Sequence, residues 1–339
     1  MSTPYYAGRE AALAEIFGAS TVVVHADRLE VDARTFPIVD DVIVTLPANR
    51  LPEGARRRLG AQAGDASAEG SFAEDIQYTF GAEWTEHGEV LAEHVDEFAA
   101  YFDLIDLEAL GDQRVADLGC GSGRWASFVA PRCREIVLAD FSDAIFVARR
   151  NLAGADHAVF VLADVLDLPF GDDAFDLAYC LGVLHHLPVD ALDACRRLAR
   201  HAPELLVYLY YALDNRPAYY RALLAGVTQA RTRLARLRST RARSAVSLAI
   251  AALVYAPLAF VGSVGGRRVQ RYVPLADTYA GKSLRRLQQD AYDRFFTRIE
   301  QRVTRAQVLE LTDTFDAITV SDGLPYWHFR CERAARFPR

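Results

Sequence analysis

Three acidic residues follow short apolar runs in the middle of this 339-residue chain. Asp117 lies in VADLGCGSG, Asp140 ends EIVLAD and Asp164 ends AVFVLAD. A carboxylate at the end of a strand can accept hydrogen bonds from ribose hydroxyls or from an adenine amino group. We therefore expect Asp140 to contact a ribose and Asp164 to contact an adenine edge.

Gly119, Gly121 and Gly123 directly follow the first of these runs. A tight turn from strand to helix needs residues without Cβ, so that a ligand can approach the backbone closely. The N-terminus of the following helix then offers free N–H groups to a polar ligand. NAD- and FAD-binding folds also use glycine-rich turns, but this spacing is GxGxG with an acid two residues earlier, not GxGxxG. The pattern favours a nucleoside ligand, and another nucleotide-binding fold is the alternative.

The elements that must position these residues alternate between strand and helix from residue 114 to about 211. Such alternation implies parallel strands joined by right-handed crossovers, hence an α/β, doubly wound, Rossmann-like sheet. Ligands of open α/β sheets bind at the carboxyl ends of the strands. The five predicted strands are VADLG, EIVLAD, AVFVLAD, FDLAYCLG and ELLVYLYY.

The remaining segments suggest a multipart chain. The run LPEGARRRLGAQAGDASAEGS is rich in small and charged residues and is typical of a linker. The predicted parts are a small N-terminal β-rich unit (1–60), a linker and helical lead-in (61–110), the Rossmann-like core (111–215), a helical cap insertion (216–300) and a terminal helix and hairpin that complete the sheet (301–339).

The series DLGCGSG, LAD and ADVLDLPFGDDAFDLAYCLGVLHHL resembles class I methyltransferases that use S-adenosyl-L-methionine (SAM), especially the bacterial group acting on small molecules. The resemblance is strong over residues 110–212 and looser to about 335. It implies that SAM is the cofactor. The implied contacts are Asp117, Gly119, Gly121, Gly123 and Cys180 for the methionine half, Asp140 for the ribose, and Phe141, Asp164 and Val165 for the adenine.

Two segments before the core carry further resemblances. TFPIVDDVIVTLP resembles the zinc-ribbon-like unit of some bacterial methyltransferases, but no cysteine precedes Cys120, so we expect no metal. SFAEDIQYTFGAEWTEHGE resembles the segment that closes over the cofactor in such enzymes. Its Tyr78, Trp84 and His87 either line the substrate pocket or pack beneath a lid.

Two groups of histidine and aromatic residues are candidates for chemistry. His185 and His186 follow the fourth predicted strand, where a histidine could act as a base because its pKa lies near neutral pH. A packing or loop-orienting role is favoured for both. In the last strand, alternation places Tyr326 and His328 on one face and Trp327 on the other, and core packing is again favoured.

An uncharged run of 20 residues, 245–264, follows six arginines between Arg231 and Arg243. Its length reaches the lower bound for a membrane span. It is nevertheless rich in small residues, contains Pro257 and lies between two sheet strands. The pattern favours a buried helical cap over the substrate pocket, with peripheral contact to a membrane or lipid substrate and a true span as alternatives.

Composition and charge indicate which partners and which cellular compartment to expect. The net charge of −7 argues against a general nucleic-acid binder, which would carry a broad basic face. The five cysteines form no CxxC pair, which indicates neither a disulfide framework nor a zinc site. The first residues show no secretory signal pattern. These observations favour a cytoplasmic protein.

The predicted function is transfer of a methyl group from SAM to O or C of a small-molecule, natural-product or glycan acceptor. LGVLHHL stands where methyltransferases of nucleic-acid bases and glutamine carry an Asn-Pro-Pro-Tyr-type run, which argues against exocyclic amines as acceptors. The alternatives are an isoprenoid or lipid methyltransferase and a non-catalytic SAM-binding partner module. The sequence leaves the oligomeric state open.

Overall fold

The computed structural model describes most of the chain. The predicted pocket residues Tyr78, Trp84 and His87 lie outside the described residues, as do Tyr326 and Trp327. The described residues are 4–60, 77, 94–214, 218–237, 239–270, 272–273, 276–296, 299–323 and 328–334.

Eleven strands form one sheet in the order β1-β2-β3-β4-β7-β6-β5-β8-β9-β11-β10. The strands are β1 (Val22–Val24), β2 (Arg28–Val31), β3 (Arg34–Val39), β4 (Val42–Val44), β5 (Arg114–Leu118), β6 (Glu135–Asp140), β7 (Ala158–Leu162), β8 (Leu177–Leu181), β9 (Glu204–Tyr208), β10 (Ala317–Val320) and β11 (His328–Glu332).

The centre of the sheet is parallel, from β7 through β6, β5 and β8 to β9. Strand β11 pairs antiparallel with both β9 and β10. The chain order reverses between β5 and β8, and such a switch point opens a crevice at the carboxyl ends of the strands. The prediction of a Rossmann-like, doubly wound sheet completed by a terminal hairpin is confirmed.

The N-terminal strands belong to the same sheet. Strands β1 to β4 form an antiparallel meander, and β4 then pairs in parallel with β7, aligning Ile43 with Val161. The β-rich pattern of this unit was correctly predicted, whereas its attachment to the central sheet was not. The run LPEGARRRLGAQAGDASAEGS, whose composition is typical of a linker, contains a helix at Glu53–Leu59, which lies before the predicted linker bounds of 61–110.

Helices cover both faces of the sheet and form the insertion between β9 and β10. They are α1 (Glu10–Phe17), α2 (Glu53–Leu59), α3 (His94–Tyr101), α4 (Ala126–Val129), α5 (Ala144–Asn151), α6 (Ala191–Leu198), α7 (Ala218–Leu234), α8 (Thr240–Ile250), α9 (Ala256–Gln270), α10 (Ala276–Tyr279), α11 (Leu284–Phe296) and α12 (Arg305–Leu309), with a π-helical turn (Ala251–Tyr255) joining α8 to α9.

Alternation of side chains along the strands divides the core into two layers. On one face, Ala116 and Val137 pack with residues such as Leu13 of α1 and Leu198 of α6. On the other face, β-strand residues pack with α3, α4 and α5, represented by Phe98, Ala126 and Ile145. Because both faces are covered, the central strands read as nearly continuous apolar runs in the sequence.

The insertion has a small core of its own, built from Ala251, Tyr255 and Ala259 against Tyr279, Leu287 and Ala291. The prediction that the run 245–264 forms a buried cap helix is wrong in one respect. The run is helical, but only 28% of the most apolar 18-residue window in the helix Arg241–Gly265 is buried. By length and composition alone, this helix could cross a membrane.

Candidate functional site

The glycine turn at the end of β5 has the geometry that close ligand approach requires. Gly119, Gly121 and Gly123 all have positive φ, at 81°, 54° and 73°. A Cβ on Gly119 would lie 2.4 Å from Cγ2 of Val183, and one on Gly123 would lie 2.8 Å from Cδ1 of Leu152. Both positions therefore exclude side chains on conformational and steric grounds.

Asp140 ends β6 and ties this turn to the next strand. Its Oδ2 accepts a hydrogen bond from the backbone N–H of Gly121 at 2.9 Å. Its Oδ1 accepts from the backbone N–H and the hydroxyl of Ser142, at 2.8 and 2.6 Å. Burial raises the pKa of Asp140, while these hydrogen bonds oppose the rise. The backbone N–H of Phe141 is a fourth neighbouring donor, so a ligand hydroxyl at Asp140 would share an acceptor oxygen with these groups.

Asp117 lies deeper than a direct ligand contact requires. The hydroxyl of Tyr179 on β8 donates to Asp117 Oδ2 at 3.0 Å. Burial raises the pKa of Asp117 to about 8, with the nearby Asp140 adding to the rise. Asp117 therefore links β5 to β8 through Tyr179, and this arrangement fits a residue that orients the glycine turn without contacting the ligand.

Asp164 is held by the N-terminal unit, which the sequence analysis did not anticipate. Arg50 Nη2 donates to Asp164 Oδ2 at 2.6 Å, and the N–H of Leu166 donates to Oδ1 at 2.9 Å. The amide of buried Gln77 donates to the carbonyls of both Arg50 and Phe141, at 2.7 and 3.0 Å. The predicted adenine side is thus contacted by residues far upstream. Gln77 belongs to the segment SFAEDIQYTFGAEWTEHGE, for which the resemblance implies a position over the cofactor, whereas no local sequence signal marks Arg50.

Val165 and Cys180, which the resemblance assigns to the cofactor, pack against the hydrophobic core in the structure. Val165 follows Asp164 and packs partly buried against the core. Cys180 is 1% exposed and lies inside the hydrophobic core on β8, where burial raises its pKa well above the usual value. A thiol enclosed on all sides has no open face toward a ligand. This burial argues against the predicted contact between Cys180 and the methionine half.

The two histidines after β8 lie side by side in different environments. His186 Nδ1 is 2.7 Å from the carbonyl oxygen of Ile299. The His185 ring stacks on Tyr210, with centroids 3.9 Å apart, and neither of its ring nitrogens has a hydrogen-bond partner among the described residues. Burial lowers the pKa of His185 well below the usual value, and neighbouring His186 and Arg302 add to this. His185 is therefore neutral at physiological pH.

Further aromatic residues extend from this pair along the carboxyl ends of β8 and β9. Tyr208 lies 6.1 Å from the His185 ring, Tyr101 lies 5.2 Å from Tyr208, and Trp125 lies 5.1 Å from Tyr101, measured between centroids. On the cap side, the guanidinium of Arg294 lies 5.7 Å from the Tyr210 ring centroid. We name these rings, His185, Tyr210, Tyr208, Tyr101 and Trp125, the aromatic wall.

The cap is joined to α3 by an ion-pair cluster beside the aromatic wall. Arg286 Nε donates to Glu97 Oε1 at 2.9 Å, and Lys282 donates to the same carboxylate. The charges of Arg286 and Lys282 lower the pKa of Glu97 to about 2, although burial opposes the shift. Helix α11 is therefore held over the end of α3 by buried charge.

His328 is a buried polar anchor in the last strand. The predicted core position is correct, since the side chain is 0% exposed. Its Nε2 lies 2.6 Å from Asp103 Oδ1, and the hydroxyl of Ser321 donates to Asp103 Oδ2 at 2.8 Å. This network fastens the terminal hairpin to the segment after α3.

Comparison with protein families identifies the core of this site. Residues 115–203, from β5 to the segment before β9, match the methyltransferase domain family. The glycine turn, the acids after β6 and β7, and the parallel sheet all lie within or against this range. Residues 115–203 therefore form a class I SAM-dependent methyltransferase domain, and SAM is the cofactor that this family uses.

The relatives cover parts of the chain only. Demethylmenaquinone methyltransferase of Clavibacter sepedonicus is 46% identical over 65 residues, covering 19% of this chain and 26% of its own length. Ubiquinone biosynthesis O-methyltransferase of Alkalilimnicola ehrlichii is 30% identical over 125 residues, covering 35% and 49%. tRNA U34 carboxymethyltransferase of Shewanella sp. is 36% identical over 109 residues, covering 30% and 32%. The chain thus spans about a quarter to a half of these relatives.

The family match begins at residue 115, so it does not support the resemblance of the N-terminal unit to a zinc ribbon. That resemblance stays a prediction. Within the part of the chain that the structure describes, no group of three or more histidine, cysteine or acidic side chains could hold a metal ion. The described residues do fit SAM, since the glycine turn offers a cradle without Cβ and the Asp140 carboxylate lies directly beside it.

Proposed function

We propose that the protein is a SAM-dependent methyltransferase that methylates O or C of a small acceptor carrying a flat ring. The carrying observation is the aromatic wall, which begins beside the glycine turn and ends beneath α11. Val183 contacts the position of a Gly119 Cβ, and His185 follows two residues later. Tyr101 and Trp125 are the partly exposed rings of the wall, and their faces offer a surface for a planar acceptor, with ring separations of 4.5–7 Å favoured.

SAM supplies a methyl group that is already activated, so the protein must chiefly align the acceptor and exclude water. Asp140 and the glycine turn hold the cofactor at the switch point of the sheet. His185 is fully buried and stacks on Tyr210, so its neutral ring supports Tyr210 rather than contacting the acceptor directly. Because its ring is buried and its pKa is lowered, His185 acts in this proposal as a positioning residue for the aromatic wall rather than as a base.

The test is turnover of a panel of catechols, hydroquinones and phenolic macrocycle fragments with SAM, followed by mass spectrometry. We expect a methylated product for at least one planar hydroxylated acceptor. His185→Asn and Tyr210→Ala should lower kcat/KM at least tenfold while leaving SAM affinity within about twofold. His201→Asn, remote from the aromatic wall, is the control. Unchanged turnover in both wall variants would overturn the assignment of the acceptor site.

Two relatives act on quinone precursors according to their names, which favours a lipid-linked ring as the second candidate acceptor. Because one relative is a tRNA U34 carboxymethyltransferase, the acceptor panel also includes a nucleic acid, although the net charge of −7 argues against such an acceptor. A prenylated quinol and an unmodified tRNA anticodon stem belong in the same panel. SAM binding without turnover of any of these acceptors would favour the non-catalytic binding module.

A further inference from the structure

The helical segment from 240 to 265 exposes large apolar side chains on its outer face. We define the outer face as Leu248, Leu253, Val254, Phe260, Val261 and Val264. Leu253 is 77% exposed, Phe260 is 69% exposed and Val264 is 73% exposed. Contiguous exposed apolar surface of this kind marks an interaction site in soluble proteins.

The opposite side of the same segment is buried but carries small or polar residues. This inner stripe repeats every three to four residues and packs against α10 and α11. A Cβ on Gly262 would lie 2.5 Å from the carbonyl oxygen of Ala276, so the helices are in close contact there. An amphipathic helix of a soluble protein buries its large apolar residues, whereas here the largest aliphatic side chains are outside and the buried stripe is mostly small. The inner stripe consists of Arg243, Ser247, Ala251, Tyr255, Ala259 and Gly262.

Arginines precede and follow this apolar segment in the sequence. Residues 215–276 contain eleven arginines and no aspartate or glutamate, in a chain whose net charge is −7. Arg233, Arg236 and Arg241 are exposed on the side where the apolar segment begins. Three more arginines, at 267, 268 and 271, follow its end in the sequence. Basic residues flanking an apolar helix face are complementary to anionic lipid headgroups.

We propose that the outer face docks the protein on an anionic lipid bilayer, with the segment lying in the membrane interface. Apolar side chains enter the headgroup and acyl boundary, while the flanking arginines meet the lipid phosphates. The proposal goes beyond the methyl transfer proposed above and does not depend on the acceptor.

The topology argues against a helix that crosses the bilayer. The insertion leaves the sheet after β9 and returns to β10 and β11, and β11 pairs with β9 from His328–Tyr208 to Glu332–Glu204. A single crossing would place paired strands on opposite sides of the membrane. The inner stripe also packs on α11, whose residues include several charges, so lipid cannot surround the helix.

The experiment is co-sedimentation of the full chain with vesicles, without detergent. We expect binding to vesicles of phosphatidylglycerol and phosphatidylcholine, and at least tenfold weaker binding to phosphatidylcholine alone. The triple variant Leu253→Ser/Phe260→Ser/Val264→Ser should reduce binding to the anionic vesicles at least tenfold. The double variant Arg233→Gln/Arg236→Gln should reduce it roughly ten- to thirtyfold. Salt at 0.5 M should weaken wild-type binding because it screens surface charge.

Matched controls are available elsewhere on the surface. Val23→Ser/Leu309→Ser removes exposed apolar residues, and Arg57→Gln/Arg200→Gln removes exposed arginines, so neither should change vesicle binding. Far-UV circular dichroism verifies that each variant is folded. A blue shift of Leu253→Trp fluorescence on anionic vesicles reports insertion directly.

Three results would overturn the proposal. The first is no sedimentation of the wild type with anionic vesicles. The second is vesicle binding that persists unchanged in the triple serine variant. The third is a dimer in light scattering that the serine substitutions dissociate, since a second copy of the chain would then cover the outer face.

Discussion

The carboxyl edge of the sheet and the cap insertion follow opposite rules for placing polar and apolar residues. At the sheet edge, polar side chains point into a closed network, and the apolar residues lie behind them in two cores. In the cap, Arg243 and Ser247 point inward while Leu253 and Phe260 point outward. The difference teaches that hydrophobic content alone does not report burial. The sheet edge is organised for a polar ligand, and the cap is organised for a surface outside the protein.

The strictest test of the sheet edge is Gly119→Ala. The substitution adds a Cβ 2.4 Å from Val183 at a φ of 81°. Left-handed backbone costs about 1–2 kcal/mol for a residue with a side chain, before the clash is counted. We expect SAM affinity to fall at least a hundredfold by calorimetry. Gly154→Ala is the control, because its Cβ would meet nothing within 4 Å. Affinity within threefold of wild type would show that the turn is less constrained than its geometry indicates.

Asp140→Ala tests the link between the glycine turn and the ribose site. Loss of a hydrogen bond to a charged group costs roughly 1.5–3 kcal/mol, which corresponds to about ten- to a hundredfold weaker binding of SAM and S-adenosylhomocysteine. Isothermal calorimetry measures both ligands, and thermal unfolding reports whether the turn survives. Exposed Asp112→Ala serves as the control. Equal affinity in Asp140→Ala and wild type would remove this residue from the cofactor site.

The junction between the sheet edge and the cap has a predicted pH dependence. Burial, reinforced by Arg124, lowers the pKa of His94 to about 3, from about 6.5 when unfolded. The unfolded chain therefore binds more protons in this window, and stability falls as pH drops below 6.5. We expect the free energy of unfolding to fall by about 2 kcal/mol from this group between pH 6.5 and 5.

Urea denaturation at several pH values measures the His94 effect, and His94→Gln should flatten the dependence in that window. An equally steep pH dependence in His94→Gln and wild type would assign the titration to another group.

The smallest expected effect is that of Glu97→Gln on the cap. Glu97 pairs with Arg286 and Lys282, so its neutralisation should loosen α11 by about 1–2 kcal/mol without touching the glycine turn. Hydrogen exchange should become faster across 284–296, while SAM affinity changes less than twofold. Exposed Glu108→Gln is the control. Faster exchange across β5 and β6 in Glu97→Gln would show that cap and sheet edge form one cooperative unit.

The sequence predicts the parts of the molecule that depend on local chemistry. Apolar runs bounded by acids and glycines predict β5 to β9, and tight-turn chemistry predicts Gly119 and Gly123. Asp140 can be predicted as a site residue because it stands at the carboxyl end of a strand. These features need no knowledge of distant contacts.

The missed features all depend on distant contacts or on the direction of a helix face. Arg50 reaches Asp164 across 114 residues of sequence. Burial of Cys180 depends on the helices that cover its face of β8, and these are α6 and its neighbours. Burial of the run 245–264 was mispredicted because the sequence of an apolar helix does not show whether protein or lipid covers it.

The parallel pairing of β4 with β7 has a consequence during synthesis. Ile43 emerges from the ribosome more than a hundred residues before its partner Val161. Until then, the edge of β4 that later pairs with β7 has no partner strand. Translation at about 5–20 residues per second makes this wait roughly 6–24 s. An exposed apolar edge held that long is a template for aggregation. Nascent chains of this protein therefore pass through a vulnerable interval that closes only when residue 162 is available for pairing.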